Sequence, residues 1–158
     1  MHKGYLKTAA ILGGLSVALG AFAAHTLKQN ISGYALEIFE TAVKYQFYHV
    51  FSLLAVGIIY KEFPNKLLNW SGRLFIAGII LFCGSLYVLT AIKAAVVQGY
   101  NWIGAITPFG GLCFILGWIF LFIGISTIFA VYCCLCLCYE LVFEEKMSLE
   151  SVYSKHKF

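Results

Sequence analysis

Residues 107–129 read TPFGGLCFILGWIFLFIGISTIF, a stretch without a charged residue. A helix needs about 20 consecutive apolar residues to cross the hydrocarbon layer of a membrane, so this stretch is long enough to span it. Thr107 before Pro108 supplies an N-cap and a proline at the first helical position, which predicts where the helix begins. Ser71 is expected to cap another helix in the same way. The stretch therefore predicts a transmembrane helix.

The composition of the whole chain supports a membrane protein. Hydrophobic residues make up 61% of the 158 residues and charged residues only 11%, with a mean hydropathy of +0.87. A soluble domain carries about 25% charged residues, so this chain has too few to cover a water-facing surface. Its net charge of +4 is scattered and forms no basic block of the kind that binds nucleic acid.

Three further apolar segments precede this stretch. They cover about residues 6–27, 47–60 and 72–97. The first and third are long enough to span a membrane alone. The second spans only if its helix begins upstream, near Ala42, with an amphipathic lead-in from Tyr34. The sequence thus predicts four transmembrane helices.

The first segment has an alternative interpretation as a cleaved signal peptide. Lys3 and Lys7 precede the apolar run, and Ala21-Phe22-Ala23 resembles a cleavage site. The run is long, however, and three more spans follow it. These features favour an uncleaved first helix.

The predicted fold is an all-α, compact four-transmembrane-helix bundle with a C-terminal extension. Residues 1–130 are expected to form the four-helix domain, and residues 131–158 a Cys-rich apolar segment and a charged tail. With four spans, eight of the eleven lysine and arginine residues fall on the side of the two termini. Because basic residues are enriched in cytoplasmic connections, both termini are predicted to be cytoplasmic, in a cell (inner) membrane.

Small residues recur in the predicted helices, and such residues let helix backbones approach closely in lipid. Their abundance has a plainer interpretation too, since glycine is commoner in membrane helices than in soluble ones. The positions predicted to pack helices are Gly14, Gly20, Gly84, Ser85, Gly110, Gly111 and Gly117.

Residues 37–49, EIFETAVKYQFYH, gather polar side chains at the entry of the second helix. Glu40 precedes Lys44 by four positions, the favourable order for an ion pair on a helix. One interpretation is a solvated interfacial face, with the histidine hydrogen-bonded inside the bundle. The other is a polar site at the outer end of the first two helices, because ionisable groups inside a membrane are costly and often functional. The candidate polar cluster comprises His25, Glu37, Glu40, Lys44, Tyr45 and His49.

Four motifs resemble those of the YgdD-like family of small membrane proteins (domain of unknown function 423, UPF0382). They are LGAFAAH at 19–25, FETAVKYQFYH at 39–49, FCGSLY at 82–87, and ITPFGG at 106–111 followed by Gly117-Trp118. The resemblance covers about residues 8–128 in the family's order. It implies a four-helix protein of bacterial inner membranes, with relatives in eukaryotes and without an established biochemical role.

Beyond about Ile128 the chain departs from that resemblance. Residues 107–143 as one helix would be about 55 Å long, nearly twice the hydrocarbon layer of about 30 Å. The helix is therefore expected to break near residues 124–127, to bend into the interface or to protrude. The cysteines of this segment, Cys133, Cys134, Cys136 and Cys138, allow three interpretations: a metal site, juxtamembrane acylation, or small apolar residues at an interface.

Three classes of function are compatible with these features. The chain contains no aspartate, nucleophile elbow, HExxH motif or phosphate-binding loop, which argues against an enzyme, and no catalytic residue, metal ligand or cofactor is predicted. A small transporter or proton- or ion-conducting element is the alternative. The leading expectation is a structural or accessory membrane protein. Its predicted partners are the lipid bilayer and either another membrane protein or further copies of the chain.

Overall fold

The structure, a computed structural model, describes residues 3–95 and 101–155, and side chains within 3–95, 103–136 and 139. Four long helices account for nearly all of these residues: α1 (Lys3–Asn30), α2 (Gly33–Glu62), α3 (Lys66–Ala94) and α4 (Thr107–Lys155). A short 3-10 helix, Asn101–Ala105, precedes α4. All four are long and apolar enough to cross a membrane, which confirms the predicted four-helix fold among the described residues.

The helix starts follow side-chain caps. Ser32 Oγ accepts a hydrogen bond from the Ala35 amide (3.3 Å) at the start of α2, and Asn65 Oδ1 accepts one from the Leu67 amide (2.9 Å) at the start of α3. The sequence assigned that second cap to Ser71, which is wrong, because Asn65 already satisfies the first turn and α3 begins there. Helix α2 begins at Gly33, so the short second apolar segment is part of a full-length span.

Two helices contain a π-helical turn, Ala23–Leu27 in α1 and Ile79–Cys83 in α3. A π turn inserts one extra residue into the helical repeat and therefore changes which side chains face a neighbour. The hydrophobic pattern did not predict either turn. The turn in α3 lies directly before Gly84.

The core forms where all the helices meet. The most extensive packing joins α3 to α4, and α2 packs along both α3 and α1. Leu53 of α2 and Leu68 and Phe75 of α3 are fully buried and are among the largest side chains in this core. Helix α1 is the least enclosed span, with 11% of its apolar window buried against 44% for α2.

Helix α4 continues as one helix of 49 residues, about 73 Å long at 1.5 Å per residue. It passes through residues 124–127 without interruption, so the break considered at that point is absent. It also crosses the predicted domain boundary at residue 130. Gly124 packs closely against α3, where an added Cβ would lie 3.1 Å from Leu68 Cδ2. The glycine at this position therefore allows α4 to pack against α3 and does not break the helix.

Candidate functional site

The N-terminal half of α2 carries the predicted charged pair. Lys44 Nζ lies 3.9 Å from Glu40 Oε2, and these side chains are 64% and 46% exposed. They line a shallow groove with three small residues of α1, Gly20, Ala23 and Ala24. The separation is too long for a direct hydrogen bond, and an exposed pair contributes little to stability.

His25 and Glu37 lie near this groove in sequence but make no described contact with the pair. His25 is exposed on the π turn of α1, and Glu37 is exposed on the first turns of α2. Within residues 3–95, no ion pair within 4 Å joins His25 to a carboxylate. The backbone carbonyl of Glu37 accepts a hydrogen bond from Thr41 Oγ1 (2.8 Å).

His49 lies inside the bundle, on the side of α2 that faces α3 and α4. Its side chain is 6% exposed, and its Nδ1 donates to the Tyr45 carbonyl (2.8 Å). The ring stacks on Phe114, with 3.5 Å between centroids and 9° between planes. The indole Nε1 of Trp118 donates to His49 Nε2 over a long 3.4 Å. A backbone carbonyl can only accept and an indole N–H can only donate, so these two contacts correspond to the neutral tautomer with its proton on Nδ1.

The described contacts thus divide the predicted cluster between two places. Glu40 and Lys44 face α1, whereas His49 faces aromatic rings of α3 and α4. Tyr45 lies beside the second group, with its ring 4.9 Å from that of Phe82. A single site shared by all six residues remains a prediction.

A buried polar network that the sequence did not single out joins three helices. Gln46 is 2% exposed, and its Nε2 donates to the Leu12 carbonyl of α1 (3.1 Å). Tyr87 of α3 donates through its hydroxyl to Gln46 Oε1 (2.9 Å). A glutamine inside an apolar span was the available signal, since lipid offers it no partner.

Two serines make further links between helices. Ser71 Oγ donates to the Gly117 carbonyl across the α3–α4 interface (2.8 Å). Ser85 Oγ lies 2.8 Å from Thr107 Oγ1, so the first turn of α4 is tied to the middle of α3. Hydroxyl groups used in this way hold membrane helices together where apolar packing alone is not selective.

Glycines from the predicted packing set differ in their surroundings. A Cβ added at Gly110 would clash with the backbone nitrogen of Phe82, and one at Gly117 would lie 2.8 Å from Phe75 Cδ1. At Gly20 and Gly111 an added Cβ would make only ordinary contacts, the nearest at 3.7 and 3.9 Å.

The close-packing role predicted for Gly14 and Gly84 is not supported, because a Cβ added at either would meet nothing within 4 Å. Both glycines have open space on the side where a side chain would project. Besides Gly124, three glycines outside the predicted set lie close to a facing side chain. Gly57 lies against Leu6, Gly72 against the ring of Tyr5 and Gly78 against the ring of Phe114.

The cysteine segment lies on the exposed part of α4. Cys133, Cys134 and Cys136 are exposed free thiols, and the side chain of Cys138 lies outside the described residues. Among residues with described side chains, no group of three histidine, cysteine or acidic residues is placed to hold a metal ion.

Comparison with known proteins gives one family. The profile of the family described as "Protein of unknown function (DUF423)" matches residues 19–111. No solved structure matches the chain significantly.

Three relatives illustrate the similarity. The chain is 43% identical over 123 residues to the UPF0382 membrane protein SSP2132 of Staphylococcus saprophyticus, covering 75% of this chain and 97% of the relative. It is 41% identical over 124 residues to a UPF0382 membrane protein of Haemophilus influenzae, covering 78% and 94%. It is 37% identical over 118 residues to YwdK of Bacillus subtilis, covering 74% and 91%. The chain thus spans nearly the full length of these relatives and is longer than the matched region.

Proposed function

We propose that this chain, which belongs to the DUF423 (UPF0382) family of membrane proteins of unknown function, is a non-enzymatic accessory subunit of a membrane assembly. The observation that carries this proposal is the exposed apolar surface that α4 presents beyond the bundle. Phe129, Val131, Tyr132, Leu135 and Tyr139 are all more than half exposed.

Lipid alone is a poor cover for this whole surface. Residues 107–139 of α4 extend over about 50 Å at 1.5 Å per residue, whereas the hydrocarbon layer is about 30 Å thick. Part of the apolar surface therefore lies outside the hydrocarbon unless the helix is strongly tilted. Exposed apolar surface outside lipid is typical of an interface with another protein.

The interior of the bundle is consistent with a structural role. Gln46, Ser71 and Ser85 are buried polar residues whose side chains bond to another helix. Groups engaged in this way hold the helices together and are not free to bind or move a substrate. The proposed partner is another membrane protein that packs along residues 129–136 of α4.

Site-specific photo-crosslinking in intact cells tests the proposal. A photoreactive residue in place of Leu135 should crosslink to a defined protein that also co-purifies in native lipid. Ile11 of α1 is the matched control, because it is 71% exposed and lies within a span, where lipid is the expected neighbour. If Leu135 and Ile11 both yield only lipid adducts, the accessory role is refuted.

A proton- or ion-conducting element is the second candidate, and the burial of His49 within the span of α2 favours it. Ionisable side chains at such positions are common in proton pathways. The purified protein in liposomes should then collapse a pH gradient, and His49→Phe should abolish this flux. The accessory proposal predicts the same slow leak for both proteins and for empty liposomes.

The proposed orientation places both termini in the cytoplasm of a cell (inner) membrane. Lys61, Lys66 and Arg73 flank the connection between α2 and α3, on the same side as the two termini if all four helices cross. This distribution agrees with the enrichment of basic residues in cytoplasmic connections. A reporter fused after residue 158 should be active in the cytoplasm, and one inserted near residue 99 outside. An exported C-terminal reporter would contradict the orientation.

A further inference from the structure

A pocket of about 420 Å³ opens between α2, α3 and α4, and aromatic rings form most of its wall. Tyr45 and His49 contribute from α2, Phe82 from α3, and Phe114 and Trp118 from α4. The volume lies in the range of small-molecule sites, which are mostly apolar with a few placed polar groups. In this pocket, the ring nitrogens of His49 and Trp118 supply a pair of polar groups.

The pocket lies near the middle of the membrane-spanning region. Helix α2 has its midpoint between Phe47 and Tyr48, close to His49. In α4, Trp118 is the central residue of the uncharged stretch 107–129. Tyr45 and Trp118, at the mouth, are 42% and 50% exposed. A ligand would therefore enter sideways from the hydrocarbon layer, which excludes charged molecules and lipid headgroups.

The polar pair determines which group the pocket can recognise. In the neutral tautomer of His49, whose Nδ1 donates to the Tyr45 carbonyl, Nε2 carries a lone pair and can only accept. Its described donor, the Trp118 indole, is 3.4 Å away, beyond the usual 2.7–3.2 Å of an N–H donor. Trp118 is half exposed, so its ring has room to turn. Nε2 is thus a buried acceptor with a weak donor that a better one can replace.

We propose that this pocket binds a neutral, lipid-soluble aromatic ring that carries a phenolic hydroxyl, the chemistry of a reduced quinone or a phenolic lipid. The hydroxyl donates to His49 Nε2, and its oxygen accepts from the Trp118 N–H. The ring lies against Phe82 and Phe114, whose centroids are 5.6 Å apart. Aromatic walls favour a flat ring through stacked and edge-to-face contacts. The proposal is independent of the accessory role.

The test compares two ligands on a protein whose only tryptophan is Trp118. Trp70 and Trp102 are replaced by phenylalanine, and the protein is placed in nanodiscs. The probes are 2-bromo-4-octylphenol and 2-bromo-4-octylanisole, whose bromine quenches a nearby indole. The methyl ether has no hydrogen to donate and partitions more strongly into hydrocarbon, so the two ligands are compared at equal mole fraction in the nanodisc lipid. The phenol should quench Trp118 saturably, whereas the anisole should half-saturate at a concentration about tenfold higher, the factor lost with one hydrogen bond.

His49→Phe, which keeps a ring and removes the acceptor, should make the phenol behave like the anisole. Identical quenching by the two ligands on the otherwise unaltered protein would overturn the proposal, whether or not His49→Phe folds. So would half-saturation of a folded His49→Phe protein by the phenol at the same concentration as on the protein that keeps His49. A short-chain benzoquinol under reducing conditions distinguishes the sources: tighter binding than that of the phenol assigns the site to reduced quinones, and weaker binding assigns it to single phenols.

Discussion

Glycines of the α3–α4 interface and glycines of α1 have different surroundings. At the α3–α4 interface, Gly78 and Gly117 each lie under an aromatic ring of the facing helix, and Gly110 lies against the backbone of Phe82. On α1, Gly14 has open space, and Gly20 has only an ordinary contact with Val43 of α2. The sequence spacing of small residues is as regular on α1 as elsewhere. Close packing therefore depends on the residue opposite a glycine, and spacing along its own helix does not reveal it.

The largest effect is expected at Gly110. In Gly110→Ala the new methyl group would meet the backbone nitrogen and Cα of Phe82, which cannot move without shifting α3. The free energy of unfolding, measured by SDS titration in mixed micelles, should fall by about 3 kcal/mol, the upper part of the range for overpacking.

Gly84→Ala is the matched control for Gly110→Ala. It also adds one methyl group to a helix glycine, but into open space. Alanine favours the helix over glycine by up to about 1 kcal/mol, so this variant should be as stable as the original or slightly more so. Equal losses in the two variants would show that the contact with Phe82 does not determine the tolerance of these positions.

A smaller effect is expected at Gly117, because its neighbour is a ring and not a backbone. Gly117→Ala would place a methyl group 2.8 Å from Phe75 Cδ1, and the free energy of unfolding should fall by about 1–2 kcal/mol. Phe75→Leu replaces that ring with a smaller, flexible side chain and should relieve the clash. In a double-mutant cycle the two changes should be less damaging together than their sum, by about 1 kcal/mol. Additive losses would mean that the strain lies elsewhere.

The fold was predictable because it depends on the length and polarity of segments. Residues 107–129 and the three earlier runs are too apolar for water, and the helices formed there are the spans in the structure. The start of α3 was misplaced because Asn65 and Ser71 are both good caps, and only the packed helix shows which one is used.

The candidate site was predictable only as a list of unusual residues. Spacing placed Glu40 and Lys44 on one face of α2, and they form the expected pair there. It could not show that His49 faces α3 and α4, because that depends on the rotation of α2 against helices far away in the sequence. Gln46 was missed for the same reason, since its partners Leu12 and Tyr87 come from two other helices.

The network at Gln46 offers a test on the α1 side of the comparison. Gln46→Leu removes the bond to the Leu12 carbonyl and leaves the Tyr87 hydroxyl without this acceptor. Hydrogen bonds between membrane helices contribute about 0.6 kcal/mol on average and up to about 1.7, so a loss of about 1 kcal/mol is expected.

Tyr87→Phe is the control for Gln46→Leu, because it removes only the second bond of the network. The free energy of unfolding should fall less in Tyr87→Phe than in Gln46→Leu. In the double variant it should fall by less than the sum of the two single losses. If Gln46→Leu lowered the free energy of unfolding as much as Gly110→Ala, the α3–α4 interface could not be ranked above the α1–α2 contact in its contribution to stability.

The smallest effect is expected at the exposed pair Glu40–Lys44, which faces α1. Glu40→Gln keeps the size of the side chain and removes its charge, and the pair is exposed and separated by 3.9 Å. An exposed ion pair at this spacing contributes about 0.3–0.5 kcal/mol, and salt screens it further. A double-mutant cycle with Lys44→Gln should therefore give a coupling below about 0.5 kcal/mol that vanishes in high salt. A loss of about 3 kcal/mol on changing Glu40 alone would instead indicate a desolvated pair held against α1. In that case the groove lined by Gly20, Ala23 and Ala24 would be as closely packed in the membrane as the α3–α4 interface, and the contrast between the two regions would not hold.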